Sequence, residues 1–99
     1  MVLCWPAVAE EITVVALGDS LTQGFGLVEE EGFVPQLQAW LRARGNEVVV
    51  ENHGVSGDTT AGGLARIGWA LGDHVDALIV ALGGNDLLRG LPPEVSRAN

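Results

Sequence analysis

The sequence predicts a three-layer α/β/α domain built on a parallel β-sheet. Three short apolar runs alternate with two segments in which apolar residues repeat at helical spacing. The runs are continuous rather than alternating, which is typical of strands buried on both faces. Because helices connect successive strands, we expect right-handed crossovers and helices that cover both faces of the sheet.

The first half of the chain supplies a strand, a helix and a second strand. Residues 12–17 form a β-branched run, which predicts the first strand. Apolar residues within 33–44 share one helical face, and Gly45 is a good C-terminal stop for that helix. Three consecutive valines centre the second predicted strand, residues 47–51.

The second half adds a helix and a third strand. Residues 61–71 carry Leu and Ile at three- and four-residue steps, which predicts a helix despite three glycines. Residues 75–82 form the third apolar run. In a three-stranded sheet this strand lies at an edge, where so apolar a segment aggregates unless more sheet covers it. We therefore expect residues 10–99 to be the N-terminal portion of a larger domain, with a complete small domain as the alternative.

Composition excludes several classes of function. The 99 residues carry five basic against 13 acidic side chains and a formal charge of −8, which disfavours binding to nucleic acid or to an anionic membrane surface. A single cysteine, Cys4, rules out an internal disulfide framework, and with only two histidines the usual structural zinc sites cannot form. No apolar run reaches the length of a membrane span, so we expect no stable membrane insertion.

The N-terminus resembles the end of a secretory signal. Residues 1–9 are apolar and finish in Ala7-Val8-Ala9, a small-x-small pattern followed by two glutamates. We interpret residues 1–9 as a clipped signal-peptide remnant. This interpretation predicts a periplasmic or secreted protein that begins at Glu10 once processed; without cleavage the protein would be cytoplasmic.

Polar, glycine-rich loops follow all three predicted strands. They are Gly18-Asp19-Ser20, the segment 55–59 and Gly83-Gly84-Asn85-Asp86. Any one of them could be a helix cap or a tight turn. Together they should meet at the carboxyl edge of a parallel sheet, where ligands bind in such folds. A nucleotide site fits poorly, because G-x-G-x-x-G and G-K-[ST] are absent and the chain has no lysine.

These loops resemble the sequence blocks of the SGNH, or GDSL, hydrolases. Gly18-Asp19-Ser20-Leu21 resembles the first block, Gly57 lies in a match to the second, and Gly83-Gly84-Asn85-Asp86 is similar to the G-x-N-D block. The resemblance covers residues 12–97 and is greatest to the bacterial arylesterase, acyl-CoA thioesterase I and lysophospholipase L1 group. It implies a flavodoxin-like sheet, of which this chain holds the first three strands.

The resemblance also implies a mechanism. Ser20 would be the nucleophile, forming an acyl-enzyme with a small acyl ester or thioester. The backbone N–H groups of Ser20 and Gly57 and the side-chain amide of Asn85 would form the oxyanion hole. It implies no cofactor and no metal. Alternatives that keep this fold are a non-catalytic ligand-binding module and a carbohydrate acetylesterase.

The chain departs from the family pattern at its last block. No Asp-x-x-His is present, so neither the triad histidine nor its aspartate lies in this chain. His53 and His74 are poor substitutes, since one follows the second predicted strand and the other precedes the third. We therefore expect these 99 residues alone to be inactive.

Two further interpretations concern side chains outside the loops. Clustered like charges normally face water, so Glu29-Glu30-Glu31 is expected to be a solvated surface. Trp40 and Trp69 lie on predicted helical faces and are interpreted as packing residues rather than substrate contacts.

Overall fold

The computed structural model describes residues 10–99 as a parallel sheet covered by helices. β1 is central and the strand order is β2-β1-β3. This confirms the predicted α/β fold class, while residues 1–9, with the interpreted signal remnant and Cys4, lie outside the described residues. In chain order the elements are β1 (Ile12–Gly18), α1 (Ser20–Gln23), a 3-10 turn (Glu29–Glu31), α2 (Phe33–Ala43), β2 (Val48–Gly54), α3 (Thr60–Ala70), β3 (Ala77–Ala81), α4 (Gly84–Leu88) and α5 (Pro93–Ala98).

The central strand is buried on both faces. Ala16 packs with Val34 of α2 and with valines of β2 in one cluster. Val15 and Leu17 pack with Ala70 of α3 in a second cluster. Successive side chains of a strand point to opposite faces, so a continuous apolar run is what a strand between two helical layers requires.

Two strand boundaries differ from the sequence-based prediction. β2 continues three residues beyond residue 51, because it pairs with β1 along its whole length, from Ile12↔Val48 to Gly18↔Gly54. His53 therefore lies inside a strand and not in the loop after it. β3 is shorter than residues 75–82, since only Ala77–Ala81 pairs with β1.

The interpretation of the two tryptophans as packing residues was wrong. Trp40 is 53% exposed and Trp69 is 81% exposed. The Trp40 ring lies under the Arg44 guanidinium, 3.6 Å from its carbon, and Trp69 is 5.8 Å from the His53 ring between centroids. Both indoles therefore contact a neighbouring side chain at the surface and are not buried in the core. Glu29–Glu31 is exposed, as expected.

The two outer edges of the sheet are finished differently. On β2, the Val48 carbonyl accepts a hydrogen bond from Arg42 Nε (2.8 Å), and the Val50 N–H donates to Gln38 Oε1 (3.0 Å). On β3, the backbone groups that point away from β1 have no hydrogen-bond partner among residues 10–99. Side chains therefore cap one edge, while the other edge, where the third strand was predicted, is bare.

Candidate active site

All three strands end in the same row of the sheet. Gly18 at the end of β1 pairs with Gly54 of β2 on one side and with Ala81 of β3 on the other. The three polar loops therefore leave the sheet from neighbouring points. Ser20 and Asn85 lie in the loop-helix segments after β1 and β3, and Gly57 lies in the loop after β2.

Ser20 opens the short helix α1. Asp19, only 6% exposed, is the N-cap, and its Oδ1 accepts a hydrogen bond from the Leu21 N–H (3.0 Å). Ser20 itself is half-buried. Within residues 10–99 the Ser20 backbone N–H donates no hydrogen bond. No buried side-chain oxygen in this part of the chain lacks a partner, and the Ser20 hydroxyl is no exception. The cap thus fixes the backbone around a serine that stays accessible to a ligand.

Gly57 sits at the tip of a tight turn anchored to β1. The Val55 N–H donates to the Gly18 carbonyl (3.0 Å), and the Asp58 N–H closes the turn on the Val55 carbonyl (3.1 Å). Gly57 has φ +80°, a conformation that costs residues with a Cβ steric strain. Its carbonyl accepts from Arg89 Nη2 (2.9 Å), whereas its N–H donates to no group in the described part of the chain.

Asn85 joins the third loop to the second. Its Nδ2 donates a hydrogen bond to the Asp58 carbonyl (2.8 Å), one residue beyond Gly57. An amide nitrogen carries two N–H donors, so this bond orients the group and leaves the second donor for a ligand. Asn85 is half-buried in α4. The loops bearing the three predicted site residues are therefore tied to one another.

Two residues that organise this edge were missed in the sequence analysis. Arg66 of α3 donates to Asp58 and to the carbonyls of Gly18 and His53. Asp86 is 1% exposed and accepts three hydrogen bonds. The donors are the Thr60 N–H, the Thr60 hydroxyl and the hydroxyl of Ser96 in α5. The sequence did contain one indication that Arg66 has a special role, because it is the one charged side chain in α3.

Hydrogen bonds stabilise the charged form of Asp86. The Thr60 hydroxyl and backbone N–H, followed by the Ser96 hydroxyl, hold the pKa of this buried carboxyl below its ordinary value. An ionised Asp86 thus fixes the start of α3, which follows the Gly57 loop directly.

The side chains of both histidines contact the same carboxylate, that of Glu51. His53 Nε2 lies 3.3 Å from Glu51 Oε2, and His74 Nε2 lies 2.9 Å from Glu51 Oε1. These contacts, with that of His74 the largest cause, lower the pKa of the Glu51 carboxyl. Neither ring nitrogen is bonded to Ser20 in the structure.

Two other features are absent from residues 10–99. No helix there is long and apolar enough to cross a membrane. Nor do three His, Cys, Asp or Glu side chains in this part of the chain come together in a way that could hold a metal ion.

This chain is similar in sequence to several known proteins. The model of the GDSL-like lipase/acylhydrolase family matches residues 16–99. The esterase TesA of Pseudomonas aeruginosa is 43% identical over 88% of this chain and 44% of that protein. An arylesterase of Vibrio mimicus is 41% identical over 87% of the chain and 44% of its own length.

Solved structures give the same result for the fold. The esterase AlinE4, described as an SGNH-hydrolase family member, superposes with a TM-score of 0.85 and 44% identity. The match covers 93% of this chain and 50% of AlinE4. The chain thus spans about half the length of the relatives that it matches, and it belongs to the GDSL-like lipase/acylhydrolase family.

Proposed function

We propose that the protein containing this chain is a serine hydrolase that cleaves carboxylic ester or thioester bonds. The observation that supports it most is the convergence of three loops on one edge of the sheet, where the N–H groups of Ser20 and Gly57 and one N–H of Asn85 have no partner within residues 10–99. Unpartnered donors beside an accessible hydroxyl are the arrangement that an acyl-transfer site requires.

In the proposed reaction, Ser20 Oγ attacks the carbonyl carbon of the substrate and loses its proton to a base. The carbonyl oxygen becomes negative and accepts hydrogen bonds from Ser20 N–H, Gly57 N–H and Asn85 Nδ2. The bond to the leaving alcohol or thiol then breaks as the base returns the proton to it. Water hydrolyses the acyl-Ser20 ester and regenerates the enzyme.

The base is the part of this mechanism that residues 10–99 do not supply. Family resemblance assigns it to a histidine in an Asp-x-x-His block, and the chain contains none. His53 and His74 are both engaged by Glu51. We therefore propose that the 99 residues alone are inactive, with a loss on the order of 10⁴–10⁶ in turnover relative to a protein with its complete triad.

Within residues 10–99, exposed apolar side chains follow both Ser20 and Asn85 and offer apolar surface to an acyl chain. Leu21, which follows the serine, is 82% exposed, and Leu87 and Leu88, which follow Asn85, are 78% and 83% exposed. An acyl chain lying on these leucines would remove apolar surface from water at both sides of the reacting carbonyl.

The direct test compares serine variants of the complete protein on a p-nitrophenyl butyrate substrate. Ser20→Ala is expected to abolish hydrolysis, and a fluorophosphonate probe should add its mass to the peptide containing Ser20. Ser56→Ala is the matched control, because Ser56 is an exposed serine at the same edge that bonds Gln23. The proposal is wrong if Ser20→Ala keeps wild-type turnover. A protein consisting of residues 1–99 alone is expected to be as inactive as Ser20→Ala.

A further inference from the structure

A single guanidinium connects three segments at the carboxyl edge of the sheet. Arg66 Nε donates to Asp58 Oδ2 (2.8 Å), and Arg66 Nη2 lies 2.7 Å from the same oxygen. Nη1 donates to the His53 carbonyl (2.8 Å) and Nη2 to the Gly18 carbonyl (3.0 Å). The Arg66 side chain is 22% exposed and that of Asp58 is 12% exposed, so solvent screens this pair only in part.

Two of the three acceptors of Arg66 lie within two residues of a proposed oxyanion donor. Gly18 is two residues before Ser20, and Asp58 directly follows Gly57. The carbonyl of Asp58 also accepts the Asn85 amide (2.8 Å). One side chain is therefore coupled to the backbone beside Ser20 through Gly18, and through Asp58 to the backbone beside Gly57 and to the Asn85 amide.

The rest of α3 is shaped to allow this contact. A Cβ on Gly62 would lie 1.7 Å from Asp58 Oδ1, so only glycine leaves room for that carboxylate. Asp58 Oδ1 also accepts the Thr59 N–H (3.1 Å). The fork of five N–H donors on an arginine suits such a multiple contact, whereas a lysine ammonium is a compact group that cannot span three acceptors in this fixed pattern.

We propose that Arg66 is a positioning residue that holds the Gly57 turn, and with it the Asn85 amide, in the geometry that receives the oxyanion. Arg66 reaches no substrate itself; it acts through Asp58 and the ends of β1 and β2. This inference rests on the proposed hydrolase function for its kinetic consequence, although the coupling between Arg66 and Gly57 can be measured without activity.

The kinetic test uses Arg66→Met in the complete protein. Because the donors receive charge that develops in the transition state, kcat is expected to fall about 10–100-fold while KM changes less than about threefold. Arg42→Met is the matched control, since Arg42 also bonds a strand carbonyl, that of Val48, but at the opposite end of the sheet. It should lower thermal stability without changing kcat.

Milder variants cover the case in which Arg66→Met does not fold. Arg66→Lys keeps the charge, and Asp58→Asn keeps the size and one acceptor oxygen. Each is expected to lower kcat less than Arg66→Met. Folded variants that retain wild-type kcat would overturn the inference.

A second readout is independent of hydrolysis. In ¹⁵N-labelled protein, Arg66→Met or Arg66→Lys is expected to shift or broaden the amide resonances of Gly57 and Asn85, and Arg42→Met to leave them in place. Unchanged resonances in a folded Arg66 variant would contradict the positioning role. If the wild-type protein shows no hydrolysis that depends on Ser20, the proposed function fails. The Gly57 and Asn85 resonances then decide by themselves whether Arg66 positions this turn.

Discussion

The two ends of the sheet use polar side chains in different ways. At the carboxyl end, Asp19, Thr22, Thr59 and Asp86 are all buried, and no buried side-chain nitrogen or oxygen in residues 10–99 lacks a hydrogen-bond partner. At the amino end, the corresponding cross-strand contact, Thr13 N–H to Asp76 Oδ2 (2.8 Å), is exposed to solvent.

This difference shows at which end of the sheet buried polar groups fix the geometry. Removing a polar group from water costs free energy unless its partners are placed well, so buried networks are kept where several loops must hold one arrangement. An exposed contact such as Asp76 to Thr13 exchanges readily with water and fixes little. The carboxyl end therefore holds the buried polar network, and the contact at the amino end is a solvent-exposed one.

The largest test of this contrast is a one-atom change at each end. Asn85→Asp puts a carboxylate where the proposed oxyanion forms, and kcat should fall on the order of 10²–10³. Asn46→Asp makes the same change before β2, where Asn46 Nδ2 bonds the Leu41 carbonyl (3.0 Å) in an exposed position. Ester hydrolysis by the complete protein is the measurement. If both variants lose activity equally, the two ends do not differ as we describe.

The second test removes an aspartate from each end. Asp86→Ala leaves the Thr60 and Ser96 donors without their buried acceptor, and Tm should fall roughly 5–10 °C. Asp76→Ala frees only the exposed Thr13 N–H, and Tm should change by about 1 °C or less. Differential scanning calorimetry measures both. A larger loss for Asp76→Ala would reverse the contrast.

The pH dependence of stability in Asp86→Ala tests whether the buried carboxyl stabilises the fold in its charged form. Asp86 has a lowered pKa in the folded state, because the Thr60 hydroxyl is its strongest partner. Its contribution to stability is therefore complete above the unfolded aspartate pKa of about 3.9 and is lost as pH falls through the lowered folded value. The difference in unfolding free energy between wild type and Asp86→Ala, from urea titrations, should shrink as the pH is taken below about 4. A difference that grows in acid would contradict this sign.

The smallest effects come from two glycines at opposite ends of α3. Gly62→Ala drives a methyl group into the Asp58 carboxylate and should destabilise the protein by about 1–2 kcal/mol. Gly68→Ala meets nothing within 4 Å and should stabilise the helix by about 0.5–1 kcal/mol through helix propensity. Urea denaturation distinguishes the two signs. Two stabilising substitutions would mean that Asp58 is free to move.

Much of this arrangement could be predicted because its signals are local. Apolar runs mark the strands, and the glycine-rich loops after them converge once the strands are parallel, so the three loops could be grouped without coordinates. The choice of Ser20, Gly57 and Asn85 within those loops came from the family resemblance. Arg66 could not be, since its bond to the Gly18 carbonyl joins residues 48 apart in the sequence and depends on the placement of α3 over β1. The exposure of Trp69 was missed because helical periodicity marks the face of a helix but does not show whether another element covers that face.

The two edges of the sheet differ in whether they can accept a further strand. Gln38 and Arg42 occupy backbone groups of β2 that a further strand would need, whereas those of β3 are available. Any segment that extends this sheet by strand addition must therefore do so beside β3, one strand away from Ser20. Whatever attaches there would be brought next to the loop carrying Asn85.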